Sequence, residues 1–237
     1  MGFECFSQTH VGLRRKVNED SMLARTERGL WAVADGMGGH AAGDVASAMV
    51  IDALQKLPIV YSLEALVESA VAAIVRANRD LIALAHSEGE SRTIGSTVVG
   101  LAIAGPRYVC FWAGDSRAYR LRGGVIEQLS RDHSLVQELV DAGMIDPADA
   151  EGHANANVIT RAVGVVDDIK VDTVSGDVQP GDIFLLASDG LTRMVADAEI
   201  VDELTSPRLE EAIDRLIEMV LDRGAPDNVS IIAVRIT

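Results

Sequence analysis

The sequence predicts an α+β fold, in which antiparallel sheets carry helices segregated outside them. Three observations predict it. Two long amphipathic patterns follow one another with no strand between them, which a βαβ parallel sheet does not allow. The strand-like runs are joined by short glycine turns, whereas a parallel return needs a dozen residues or more. The order along the chain is strands, helices, strands, helices, strand.

Residues 21–25 and 30–34 read as a hairpin around Thr26-Glu27-Arg28-Gly29, with the glycine supplying positive φ. A helix over 43–56 follows from Val45, Met49, Ala53 and Leu57, each one turn apart. A second, over 63–86, carries Leu66, Ala70, Ala73, Ala77, Leu81 and Leu84 on one stripe. Strands return at 97–104, 107–113, 116–122 and 125–129, turned by Gly105-Pro106 and Gly123-Gly124. The segment 130–164 is less regular, with a short helix near 135–142. Strands at 170–175 and 182–187 precede helices over 197–204 and 209–223. Alternating β-branched residues close the chain as a strand over 229–236. Ile183-Phe184-Leu185-Leu186-Ala187 is apolar throughout, so this strand is expected to be buried on both faces.

With 237 residues, 48% of them apolar, and no repeat or proline-rich linker, the chain reads as one domain spanning 1–237. Its formal charge of −15, from 21 basic and 36 acidic residues, excludes a nucleic-acid surface of clustered Lys and Arg. The same charge fits carboxylates gathered around cations. No apolar run approaches the ~18 residues of a membrane span. Met1-Gly2-Phe3-Glu4 lacks the basic-then-apolar pattern of a leader, and Phe6 stands where myristoylation wants Ser or Thr. Cys5 and Cys110 sit in apolar company and read as buried free thiols. A cytoplasmic monomer with no nucleic-acid or membrane partner is expected.

The informative pattern is where the acids fall. Asp35 follows Trp31-Ala32-Val33-Ala34, Asp115 follows Phe111-Trp112-Ala113-Gly114, and Asp189 follows Leu185-Leu186-Ala187-Ser188. Asp227 precedes Val229-Ser230-Ile231-Ile232. Any one of these is an ordinary turn residue. If the four converge, they cannot remain bare anions, because two carboxylates ~4 Å apart repel by ~4 kcal/mol at an effective dielectric of ~20. Either some protonate or divalent cations neutralise them. Oxygen ligands without a His or Cys set favour Mg²⁺ or Mn²⁺ over zinc. Upstream, Glu19 and Asp20 follow the basic run Arg14-Arg15-Lys16. Carboxylate-bound cations beside an arginine fork specify a phosphoryl site.

These residues resemble a known family. Gly12-Leu13-Arg14-Arg15-Lys16-Val17-Asn18-Glu19-Asp20 is similar to the opening motif of the metal-dependent Ser/Thr protein phosphatases, the type 2C or PPM family. Val33-Ala34-Asp35-Gly36-Met37-Gly38-Gly39-His40 resembles the bacterial form of its second motif. Gly95-Ser96-Thr97, Ala113-Gly114-Asp115-Ser116-Arg117, Ala187-Ser188-Asp189-Gly190-Leu191 and Asp227-Asn228-Val229-Ser230 complete the series in order, over about residues 8–236. The segment from Arg131-Asp132-His133-Ser134 to Thr160-Arg161 resembles the family's flap, here about 131–164, with Ala154 and Ala156 where bacterial relatives often carry Pro and Arg. The resemblance implies a four-layer α-β-β-α sandwich of two antiparallel sheets flanked by helix pairs.

It also implies roles. Asp35 bridges two metals, Asp189 and Asp227 complete the first, and the Gly36 carbonyl and Glu19 serve the second. Asp20 supports bound waters, Asn228 orients Asp227, and Asp115 with Asp189 takes a third, weaker ion. Water shared by two ions ~3.5–4 Å apart supplies hydroxide near neutral pH for in-line attack on phosphorus. Motif register places Arg15, with Arg14 as its rival, on the phosphate oxygens. Met37 stands where animal members have a proton-donating His, leaving His40 or a metal-bound water for that task. His133 and Arg161 are expected to anchor the flap, and both tryptophans to be core. The function implied is hydrolysis of phosphoserine and phosphothreonine in proteins, opposing a bacterial Ser/Thr kinase. A catalytically silent phosphoprotein-binding regulator and a phosphatase for small metabolites are the competing readings.

Overall fold

The computed structural model describes residues 2–38, 42–87, 93–150 and 152–237. Among the described residues eleven strands form two antiparallel sheets. The first contains β1 (Phe3–His10), β7 (Arg117–Arg122), β8 (Val125–Gln128), β10 (Ile183–Ala187) and β11 (Val229–Ile236), in the order β1-β11-β10-β7-β8. The second contains β2 (Asp20–Arg25), β3 (Leu30–Gly38), β5 (Val98–Ala104), β6 (Arg107–Ala113) and β9 (Asp172–Asp177), in the order β2-β3-β5-β6-β9. Short β4 (Ile94–Ser96) pairs with the end of β3.

Alternation along single strands builds the layers. In β3, Leu30, Ala32 and Ala34 pack under α1 (Gly43–Gln55) and α2 (Leu63–Ser87), while Trp31 and Val33 enter the space between the sheets. In β10, Ile183, Leu185 and Ala187 face α5 (Asp197–Leu204) and α6 (Leu209–Asp222), while Phe184 and Leu186 face the other sheet. Strands with helices on one face and a sheet on the other must be apolar at every position, which explains their unbroken hydrophobic runs. The result is the four-layer α-β-β-α sandwich, with α4 (Asp189–Thr192) as an extra turn between β10 and α5. Among the described residues no helix is long and apolar enough to cross a membrane.

Two local expectations are corrected and one strand is added. The predicted strand 97–104 begins at Val98, because the Asp35 N–H donates to Thr97 Oγ1 rather than to its carbonyl, while the Thr97 N–H still reaches the Asp35 carbonyl at 2.8 Å. Phe3–His10 is a strand, paired with β11 from Phe3 opposite Ile236 to His10 opposite Val229. Cys5, on that edge strand, is only half-buried, while Cys110 is buried as expected.

Candidate active site

The ladders bring the acids to one end of both sheets. Asp20 on β2 lies directly opposite Asp35 on β3. The Asp35 backbone is held on both sides, its N–H donating to Thr97 Oγ1 at 3.1 Å and its carbonyl accepting from Ser96 Oγ at 3.0 Å. Asp189 opens α4 at the end of β10, Asp227 stands just before β11, and these two strands are neighbours. Asp115 follows β6 after Gly114, whose φ of +122° turns the chain. Across the sandwich, Ser188 Oγ donates to Asp20 Oδ2 at 2.8 Å and ties one sheet end to the other.

Close backbone approach completes the cluster. A Cβ on Gly36 would fall 1.9 Å from the Gly43 carbonyl oxygen and 2.7 Å from that of Glu19. That contact seats the loop bearing Glu19 against β3, and Glu19 Oε1 accepts from the Gly43 N–H at 3.2 Å at the start of α1, where the helix dipole favours an anion. Asn228 Oδ1 accepts from the Glu19 N–H at 2.8 Å, and its Nδ2 donates to the carbonyls of Val11 at 2.8 Å and Val17 at 3.1 Å. Its backbone N–H reaches Asp227 Oδ1 at 2.9 Å. One side chain therefore locks the 11–19 loop, which carries Arg15, beside Asp227. Arg15 Nη2 lies 2.7 Å from Asp227 Oδ2, which favours Arg15 over Arg14 as the cation of the site.

The electrostatics report the crowding. Burial pushes the Asp35 carboxyl well above the usual range, and the charges of Asp189, Asp20, Asp115 and Asp227 push it further. Burial, then Asp189, raises Asp115 to about 7. Burial raises Asp20 to about 6, with Asp189 and Asp227 adding to it against hydrogen bonds that oppose the shift. Asp189 is raised by burial, with Arg193 opposing and Asp227 adding. Shifts of this kind, from desolvation joined to like charge, are what a bound cation would relieve.

The residues present fit paired hard divalent ions. Every side-chain donor is a carboxylate, and Asp20 Oδ1 and Asp115 Oδ1 are buried with no hydrogen-bond partner among the described residues. No three acidic, His or Cys groups among the described residues already stand together at ligand spacing. Guanidinium groups lie among them instead, Arg15 on Asp227 and Arg193 on Asp115 and Asp189.

His40 lies outside the described residues. The segment expected to form the flap carries α3 (Leu135–Asp141) and is anchored on a polar network. His133 Nδ1 accepts from the Gly114 N–H at 3.1 Å, its Nε2 is 3.1 Å from Asp172 Oδ2, and Arg161 reaches the same oxygen at 2.9 Å. Trp31 and Trp112 are core, 0% and 6% exposed. Sequence reasoning missed Arg193, whose i,i+4 spacing to Asp189 was the available signal.

A family profile described as protein phosphatase 2C matches residues 10–230. The serine/threonine protein phosphatase PstP of Mycobacterium tuberculosis is 39% identical over 93% of this chain, which spans 42% of that relative's length. The serine/threonine phosphatase stp of Listeria innocua is 37% identical over 96% of this chain and 93% of its own. Among solved structures, PppA of Pseudomonas aeruginosa superposes with a TM-score of 0.92 at 45% identity, covering 99% of this chain and 98% of that one. The catalytic domain of PstP, solved with two manganese ions, superposes with a TM-score of 0.87 at 37% identity, covering 98% of this chain and 97% of that one. On the profile match and these relatives together, the chain belongs to the protein phosphatase 2C family.

Proposed function

We propose that this chain hydrolyses phosphoserine and phosphothreonine in proteins with the help of two divalent ions, Mn²⁺ or Mg²⁺. The observation that carries this reading is that Asp20, Asp115, Asp189 and Asp227 all bear on the buried carboxyl of Asp35, with Arg15 beside them. Asp35, Asp189, Asp227, Glu19 and the Gly36 carbonyl would hold the ions. When bound, such a pair supplies an activated water near neutral pH and offsets charge on the phosphoryl group. Arg15 is half exposed and presents a planar fork that matches the non-bridging phosphate oxygens. With Asp227 holding an ion, the Arg15 fork would be available to substrate. Asp20 keeps its unpartnered Oδ1 for an ordered water. Asn228 holds the Arg15 loop at a fixed distance from the acids. The leaving alkoxide takes its proton from a water or from His40.

The reading takes the protein as a monomer acting as a single catalytic domain over residues 1–237 with a flap at 131–164. The relatives' names support action on phosphorylated serine and threonine, and the reading sets this chain against a bacterial Ser/Thr kinase in the cytoplasm. PppA is described as a regulatory component of type VI secretion; that statement concerns PppA. A catalytically silent regulator would have lost an ion-holding carboxylate, and this chain retains them all. The test is phosphate release from a phosphothreonine peptide with Mn²⁺, abolished by a chelator and restored by added metal. Release from sugar phosphates is expected to be at least about tenfold slower, a difference of about 1.4 kcal/mol in barrier. No release with either ion overturns the reading, and preference for sugar phosphates moves it to small metabolites.

A further inference from the structure

Arg193 sits one helical turn beyond Asp189 and has no place in the two-ion set. Its Nη2 lies 3.0 Å from Asp115 Oδ2 and 3.0 Å from Asp189 Oδ2. Its Nη1 donates to Asn157 Oδ1 in the flap. One nitrogen thus stands between two carboxylates from different sheets, only 5% and 14% exposed, while the other reaches across to the flap. The same side chain borders a cavity of about 130 Å³ between flap and floor, lined in part by Asp115, Arg117, Asp132 and Asn157. Arg117 is engaged by both oxygens of Asp132, so Arg193 is the guanidinium that faces the Asp115–Asp189 pair. A guanidinium stays charged at every working pH.

We propose that Arg193 is a built-in cation that takes the place of a third divalent ion between Asp115 and Asp189 and straps the flap to that acid pair. The inference rests on the two-ion reading above. A divalent ion on the same two oxygens would have to expel the Nη2 nitrogen, because both use the same point between the carboxylates. Like charges at such spacing repel strongly in buried surroundings. A tethered arginine needs no free-ion concentration to stay in place, so the strap persists at metal levels that leave a weak ion site empty. The flap is then held by the protein itself rather than by metal supply.

Counting Mn²⁺ per chain by isothermal titration calorimetry, on chelator-treated full chain, tests the substitution. Wild type is expected to bind two ions. Arg193→Met is expected to bind a third, at least about tenfold weaker than the first two, with Arg193→Gln giving the same gain should the Met variant fold poorly. Adding Asp115→Asn to either should remove that third ion. Amide hydrogen exchange over 153–158 should rise at least about tenfold in the Arg193 variants and in Asn157→Ala, with no metal added. Three ions on wild type, two on Arg193→Met or Arg193→Gln, or unchanged flap exchange would overturn the proposal. A wild-type chain that binds no ion at all would sink the two-ion reading instead.

Discussion

The two ends of the sandwich are made by the same strands and use glycine for opposite reasons. At the hairpin end, Gly105, Gly123, Gly124 and Gly181 have positive φ, and a Cβ on any of them would meet nothing within 4 Å. At the acid end, a Cβ on Gly36 or Gly190 would fall 1.9 Å from a backbone oxygen, of Gly43 and Asn228 respectively. The hairpin turns are therefore local solutions to chain reversal. The acid end is a place where distant backbones are pressed together so that carboxylates meet. Gly29 is the exception at the hairpin end, since a Cβ there would fall 2.1 Å from the Ile103 carbonyl oxygen; the acid end holds the tightest of these contacts and the least compensated charges.

The largest expected effect comes from the acid end. Asp35→Asn should remove both ions and lower kcat at least about a thousand-fold, about 4 kcal/mol of barrier. Phosphate release and Mn²⁺ titration on the same preparation check it, and wild-type turnover would refute it. Arg15→Ala should lower kcat by about 10²–10³, the usual loss for one charge-stabilising donor, while leaving two ions bound. A loss of ions in that variant would mean that Arg15 organises the cage rather than the phosphate. In backbone terms, Gly190→Ala should destabilise by about 3 kcal/mol and Gly123→Ala by only about 1. Urea denaturation measures both, and equal losses would erase the contrast between the ends.

The smallest effect is one of pH. Asp20 at about 6 and Asp115 at about 7 are raised above their unfolded values near 4. Between those limits the native protein holds protons that the unfolded chain has released, so stability falls as pH rises from about 4 to about 7. Without added divalent ions, Tm should therefore rise on acidification from neutral pH toward 5. Saturating Mn²⁺ should flatten or reverse that slope, because the ions require ionised carboxylates. At a hundredfold excess over Kd each bound ion should add ~2.7 kcal/mol, or about 5–10 °C in Tm for a chain of this size. A thermal scan with and without Mn²⁺ at several pH values reads both, and a slope of the opposite sign at low metal would contradict the burial of these acids.

Legibility in the sequence follows the same division. Hairpins such as Arg107–Ala113 with its neighbours, and helices such as Leu63–Ser87, are local and were readable from period and turns. The acids were readable because each abuts a strand whose two buried faces leave an unbroken apolar run. The edge strand Phe3–His10 was not, since its half-buried faces give a weak pattern and its partner lies at the far end of the chain. The turn Asp189–Thr192 is too short to show a period. The break at Thr97 depends on a side chain that replaces a ladder bond. Arg193 meets Asp115 across 78 residues, and no local rule connects those positions.

The central claim is that sequence-distant carboxylates form one cage for paired divalent ions. Diffraction from a crystal grown with Mn²⁺, collected at the manganese absorption edge, tests it most directly. The account predicts two anomalous peaks ~3.5–4 Å apart, bridged by Asp35 and flanked by Asp189, Asp227 and the Gly36 carbonyl. Carboxylates splayed away from one another, with no peak among them, would contradict it.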